Sequence, residues 1–493
     1  MKRAFTLVEM LVAMALTLVL ITGIATFFAI VGDSVKDGRA LIELGSQMRN
    51  AENRLNTDLS QITSSGKPWV DDGEATGYFE YFEGRGNDFD PNGDGTPDSA
   101  ALITAGITNM LGDGDDFIAF TCRSLKQPFS GRLTNPVTSV MSMTQSQFAE
   151  IAWWTGFKDL DADGVWDFDE QRFIYRRCLV IKPDLTAIDA NRTYTTFADA
   201  YAALRNLLQV NDISISVRHR VSGATVTYYI APNTLSDLIR REYRFAHVPA
   251  NMTITSNTLC DTTFPHAQQL ISSVTAATAT VPTSFVLQGE AAGEDVFLAN
   301  ALAFDVQLYD PYVRIWPSDS NPNNASTALH PHDPGYPSAA TAATPANFLG
   351  LGGFVDLAYY RYLPTANQNE NATLGTQRPY YCNAPAFPPA FTTQTQRDAY
   401  FALYGCTYDT WPLSYESDGI AQLTAFGILP ARMDWQRNGV DDDNANGTDD
   451  VNERETNAPY QQPLRGLQVK LRLYEPSTRQ VRQITVGTDF VLE

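Results

Sequence analysis

The sequence predicts an α+β fold: one long N-terminal helix, membrane-spanning in its first half, packed on a β-rich globular head that carries long insertions. Three observations predict it. Residues 5–31 form an apolar run whose one charge is Glu9. An amphipathic helical pattern follows directly, and beyond residue 66 short segments rich in β-branched and aromatic residues alternate with long irregular stretches.

Lys2 and Arg3 give the apolar run a positive flank, which holds that end on the cytoplasmic side. At about 1.5 Å per residue the run makes a helix of about 40 Å, more than the ~20 residues a bilayer core requires. A secretory signal peptide has an apolar region of only about 7 to 15 residues, ending in a small-residue cleavage site. Phe27-Phe28-Ala29-Ile30-Val31 offers no such site. An ordinary membrane anchor would leave Glu9 unexplained, because a carboxylate deep in hydrocarbon costs several kcal/mol without a partner. Glu9 therefore reads as functional.

Leu41, Leu44, Met48, Ala51, Leu55 and Leu59 recur at spacings of three and four, with Arg39, Glu43, Arg49, Glu52 and Arg54 mostly on the other side. The helix thus continues as an amphipathic element over 32–65, and its stripe packs on the head. Ser64-Ser65-Gly66-Lys67-Pro68 ends it.

The head, 66–493, is long enough for a substantial core, and length alone allows two or three domains. Strands are predicted at 116–122, 172–181, 213–217 and 224–229, and a short helix at 197–210. Leu302 to Pro311 and Leu467 to Pro476 share one pattern, apolar alternation halted by an acid and a proline. The second copy turns through Pro476-Ser477-Thr478 into Val481 to Val486 as a hairpin. Insertions are predicted near 316–347 and 364–406, where Pro, Asn, Ala and Thr dominate.

Arg3-Ala4-Phe5-Thr6-Leu7-Val8-Glu9 resembles the junction of type IV prepilins. The resemblance implies a leader of residues 1–4, cleavage by prepilin peptidase between Ala4 and Phe5, and methylation of the new amino terminus. Ala4 stands where the family usually has Gly. By the same resemblance the Glu9 carboxylate meets the N-terminal ammonium of a neighbouring subunit. Two charges that are each expensive in lipid become tolerable as a pair, so Glu9 is an assembly residue. The order of long helix, strands around Phe117 to Cys122 and Glu150 to Trp154, Tyr175-Arg176-Arg177 and a closing hairpin is similar to the J-type minor pseudopilins of type II secretion and their pilus relatives. The insertions depart from that family's compact head. The expected function is that of a minor pseudopilin, a structural subunit of a secretion filament or its tip. The alternative is a type IV pilus minor pilin acting in assembly, adhesion or uptake. Expected partners are other pilins, prepilin peptidase and an inner-membrane assembly platform. The expected location is the inner membrane, crossed once, with the head extracytoplasmic and assembled into a periplasmic or surface filament.

Asp159 to Glu170 fits a twelve-residue calcium loop at every ligand position. Alternate acids around a tight Gly164 turn converge hard oxygens on one point: Asp159, Asp161, Asp163, the Val165 carbonyl, Asp167 and a bidentate Glu170. A second loop offers Asp442, Asn444, Asn446, the Thr448 carbonyl, Asp450 and Glu453, with fewer charges and so weaker binding. A third has only the front half, Asp90, Asn92, Asp94 and Asp98, with Ala101 where the clamping Glu belongs. The competing reading of each is a solvated Asp/Asn/Gly turn. Strand-like flanks favour structural calcium tying a hairpin over a helix-loop-helix sensor.

A formal charge of -21 argues against a nucleic-acid-binding head. The five cysteines lack metal-ligand spacing; Cys382 and Cys406 bracket an insertion and are the preferred disulfide, with Cys122 and Cys178 a second candidate pair. No G-x-S-x-G elbow, P-loop or H-E-x-x-H occurs, and His330-Pro331-His332-Asp333 reads as a surface loop. The chain is therefore expected not to be an enzyme, a membrane-anchored hydrolase being the alternative set aside.

Overall fold

The computed structural model describes residues 6–68, 76–83, 113–114, 116–134, 140–158, 160, 170–185, 188–189, 192–222, 225–240, 243–247, 286–287, 289–317, 328–331, 333, 348–357, 407–410, 460 and 462–490. Helix α1 runs from Leu7 to Leu59, 53 residues or about 80 Å. Its first part is exposed along its length, from Leu7 to Val35. The predicted stripe packs as expected: Leu44, Met48, Ala51, Leu55 and Leu59 are buried in the head. Each large side chain so buried stabilises the junction by about 1.5–3 kcal/mol.

The helix stops at Ser60, before the predicted Ser64-to-Pro68 breaker. Downstream, Gly66 adopts φ +67, and an added Cβ would sit 2.9 Å from Phe490 Cδ1 and 3.1 Å from Leu464 Cβ. The Gly66 carbonyl accepts from the Leu464 N–H at 2.8 Å and the Tyr408 hydroxyl at 2.9 Å. The turn is thereby clamped to segments hundreds of residues away.

The head is built on two antiparallel sheets. The central one has six strands in the order β13-β1-β2-β5-β6-β9. These are β1 (Phe79–Phe82), β2 (Phe117–Arg123), β5 (Phe148–Phe157), β6 (Arg172–Val180), β9 (Val296–Ala299) and β13 (Thr407–Asp409). The second is β11-β10-β14-β15, with β12 also paired to β10. Its members are β10 (Ala301–Pro317), β11 (Ala328–Leu329), β12 (Gly350–Val355), β14 (Gly466–Glu475) and β15 (Gln480–Asp489). Two hairpins complete the set: β3 (Phe129–Thr134) with β4 (Met141–Ser146), and β7 (Ile215–Ser222) with β8 (Thr225–Pro232).

Alternation along the central strands gives the head two cores. Phe79, Ile118, Phe120, Ile151 and Trp153 face α1 and the second sheet. Phe82, Phe117, Trp154 and Tyr175 face the opposite side, with helix α2 (Phe197–Leu208) and the β7–β8 hairpin. Thr196 caps α2 by accepting from the Asp199 N–H at 3.2 Å.

The two sequence echoes prove to be partners. Strands β10 and β14 pair directly, setting Phe304 opposite Leu471, Val306 opposite Val469 and Leu308 opposite Leu467, all fully buried. On their other face Lys470 Nζ meets Asp305 Oδ2 at 2.8 Å. The similar patterns are what two adjacent strands with one buried face require.

Several expectations are corrected. Asp310 and Pro311 do not end β10, which continues to Pro317 across a register shift between Asp310 and Arg314 that accommodates a residue lacking an N–H. Trp316 therefore begins no insertion; it is buried in the core, and Leu329 returns to pair with it. Ile213 makes an isolated bridge to Val180, and β7 starts two residues later. Cys122 and Cys178 are free thiols. They lie on β2 and β6 with β5 between them, about 10 Å apart at the usual strand spacing, beyond the ~7 Å a disulfide spans.

Candidate functional site: the N-terminal helix and its junction with the head

Thr6 has extended backbone, φ -77 and ψ 151, so its side chain turns toward the first helical turn. Its Oγ1 accepts from the Glu9 N–H at 3.2 Å, while Glu9 Oε2 accepts from the Thr6 N–H and Thr6 Oγ1, both at 2.9 Å. This reciprocal capping box follows from the Thr-x-x-Glu spacing and satisfies donors that hydrocarbon cannot. Within a single chain, then, Glu9 is tied to its own helix end. Farther along, the hydroxyls of Thr17, Thr22 and Thr26 donate to carbonyls one turn back at 2.7–2.8 Å. Polar side chains in this stretch are thus closed onto the helix itself, as lipid demands. Ala4 and Phe5 lie outside the described residues.

At the other end of α1, Asp58 is buried, with 1% of its surface exposed. Arg176 on β6 meets it through two hydrogen bonds, and Trp153 Nε1 on β5 donates to Oδ2 at 3.1 Å. Arg54, one turn earlier, approaches Oδ1 at 3.4 Å. The Arg176 guanidinium also lies over the Trp153 ring at 5.7 Å. Burial works against the Arg176 charge, yet the carboxylate outweighs it and holds its pKa above the ordinary value. Cys122 Sγ donates to the Asp58 carbonyl at 3.1 Å. Sequence reasoning placed the apolar stripe here but missed Asp58. Its place as the penultimate residue of the helix, one turn beyond Leu55, does not by itself mark it as buried.

Of the first calcium-type loop, Leu160 and Glu170 are described. Glu170 is buried, and its Oε1 accepts from the Leu160 N–H, joining the two ends of the loop. Strands β5 and β6 pair from Phe157 opposite Arg172 onward, with the Lys158 N–H donating to the Gln171 carbonyl at 3.0 Å. The loop therefore closes a β-hairpin. Asp159, Asp161, Asp163, Val165 and Asp167 lie outside the described residues, as do the second loop, the third loop, Cys382 and Cys406.

One further polar network is sealed inside the head. Arg244 Nη1 meets Glu80 and Asp409, each at 2.9 Å, and His247 Nε2 lies 2.8 Å from Glu80. Alongside, Glu150 accepts from the Tyr78 hydroxyl at 2.7 Å, the Ser214 hydroxyl at 2.6 Å and the Phe245 N–H at 2.8 Å. Its burial pushes the Glu150 carboxyl up despite these donors.

Residues 1–25 match the family model of the prokaryotic N-terminal methylation motif. The chain carries a type IV prepilin-like N-terminus. Such a motif brings with it processing by prepilin peptidase, association with other pilins and anchoring through the apolar helix. No curated protein and no solved structure matches the prepilin-like chain.

Proposed function

We propose that this prepilin-like protein is a minor pseudopilin, a low-abundance structural subunit of a type II secretion-like filament or its tip. The observation that carries the reading is the pairing of an assembly helix with a bulky head locked to it through Asp58 and Arg176. A head of this size suits a tip better than a repeating shaft. Subunits drawn from the inner membrane by an assembly platform would move helix and head as one. The N-terminus then lies in the cytoplasm and the head outside it, in the periplasm or at the surface.

The work is structural rather than catalytic. The carboxylates, histidine and arginine that come together around Glu80 and Glu150 have no surface a substrate could reach. Calcium at the 159–170 loop, and more weakly at 442–453 and 90–98, acts as a staple for the head; support comes from the hairpin that the first loop closes and from the buried position of Glu170.

The test is mass spectrometry of the full-length chain extracted from its host in mild detergent with calcium. A methylated Phe5 start together with pseudopilins and secretion-platform components upholds the proposal. The same start with a major pilin and a retraction motor makes the chain a pilus subunit, and an intact Met1 without such partners overturns both.

A further inference from the structure

Glu83 follows β1 and Asp116 precedes β2, just beyond the last register pair, Phe82 with Phe117. Asp113 lies three residues earlier, and Asp356 follows β12 in the second sheet. Glu83 and Asp113 are fully buried, and Asp116 is 1% exposed. One oxygen from each of these three lies within 4.8 Å of the others. Four acids thus gather between the two sheets, in the place where a core normally holds apolar side chains.

The hydrogen bonds around them leave oxygen capacity unused. Glu83 Oε2 accepts from the Tyr81 hydroxyl and from the Leu357 N–H at 3.0 Å, while Oε1, on the same fully buried side chain, has no hydrogen-bond partner. Gln307 donates its amide N–H to Asp356 Oδ1 at 2.8 Å, and its own buried Oε1 likewise has none. The adjacent Val306 N–H donates to Asp116 Oδ2 at 2.6 Å. The unsatisfied Glu83 oxygen lies inside the acidic cluster, and the unsatisfied Gln307 oxygen belongs to a side chain bonded to Asp356; both ask for positive charge rather than for another acceptor. The Arg172 guanidinium is close by, since a Cβ on Gly114 would sit 1.7 Å from its Nη1. Its single charge does not balance four carboxylates.

We propose that Glu83, Asp113 and Asp116, with Asp356 and Gln307 beside them, hold one divalent cation of the calcium class between the two sheets. Its residues are none of those in the three sequence loops, and it does not depend on the filament role. All the donors are hard oxygens. Two ligands at ~2.3–2.6 Å on opposite sides of Ca²⁺ are about 5 Å apart, so oxygens mutually within 4.8 Å fit one coordination sphere. Magnesium, which retains its waters, suits so closed a site less well. Joining the ends of β1 and β2 to β10 and β12, the ion would fasten one sheet to the other.

The experiment uses the full chain in mild detergent and calcium chloride alone as probe. Equilibrium dialysis should show Glu83→Gln and Asp113→Asn each binding one calcium fewer than the parent, and Glu170→Gln retaining this site. In EDTA the Glu83→Gln protein should melt at or above the parent temperature, since a buried charge is gone; in calcium it should melt below it. Hydrogen exchange on the unmutated chain needs no variant to fold: calcium should slow exchange at Val306 and Leu357. Unchanged stoichiometry in folded variants, the same melting difference with and without calcium, or no calcium effect at Val306 and Leu357 would each overturn the site. That last result would leave four carboxyls that share protons instead.

Discussion

Arg176 Nε lies 2.7 Å from Asp58 Oδ2 and Arg176 Nη2 lies 2.9 Å from Asp58 Oδ1, a two-pronged clasp between the last turn of α1 and the middle of the central sheet. Asp58→Ala leaves a nearly buried guanidinium without its counter-charge and costs about 3–5 kcal/mol. Denaturant unfolding of the full chain followed by tryptophan fluorescence measures it, Trp153 being a direct partner of Asp58. Arg176→Met, which leaves the buried Asp58 with the Trp153 N–H and the half-exposed Arg54, should also be harmful. A loss under about 1 kcal/mol for both would show that the apolar stripe carries the junction by itself.

Glu9→Gln preserves the length and hydrogen-bonding shape of the first-turn cap while removing its charge. The variant should still insert and be processed, yet its share in sheared filaments should fall at least tenfold against the parent. Immunoblotting of membrane and sheared fractions reads both quantities. Equal incorporation would mean that the carboxylate serves only its own helix end.

Gly66→Ala tests a backbone requirement. At φ +67 a Cβ is strained, and here it also meets Phe490 and Leu464. A destabilisation of about 1–3 kcal/mol is expected, visible as a lower midpoint in the same denaturant titration.

Removing calcium should lower the melting temperature of the full chain, and Glu170→Gln should recover only part of the calcium response. Differential scanning calorimetry in EDTA and in calcium decides this. No shift on chelation would end the structural role assigned to the 159–170 loop.

Acidification in EDTA should at first stabilise the head. Burial raises the carboxyl pKa of Glu83 and Glu150 above the ordinary 4.5. The folded state therefore keeps protons that the unfolded chain releases. Their contribution is fully present below 4.5 and is lost as pH rises through the folded values. Asp237 behaves oppositely: burial opposes its charge, but Arg218 and Thr234 prevail and hold its pKa below 3.8. Its contribution is lost only as pH falls through that lowered value. A thermal melt series should thus show stability rising as pH falls toward 4.5 and falling again below 3.8.

The long helix was legible because two periodic signals follow one another, first an unbroken apolar run and then the stripe from Leu41 to Leu59. Strands β2, β6, β14 and β15 were legible from alternation. By contrast, β1, β9 and β13 have three or four residues each, too few for any period to show, and each is placed by the strand beside it. The β3–β4 hairpin is polar and half-exposed, so hydrophobic patterning had nothing to register. Pro311 misled the reading because a bulge removes the need for its missing N–H. Glu9 could be read from sequence since a lone acid in an apolar run stands out. Asp58 and the Glu83, Asp113 and Asp116 cluster could not, because acids are common in this chain and only the packing of distant segments shows which are buried.

Residues 358–406 leave from the end of β12 in one sheet and return at β13, which pairs with β1 at the edge of the other. The segments at either end of this interval are held by strand pairing, β12 with β10 and β13 with β1. The entropy of closing such a span grows only with the logarithm of its length, about 0.6 kcal/mol per doubling. A reporter tag spliced into that interval is therefore expected to leave the pairings of β12 and β13 in place.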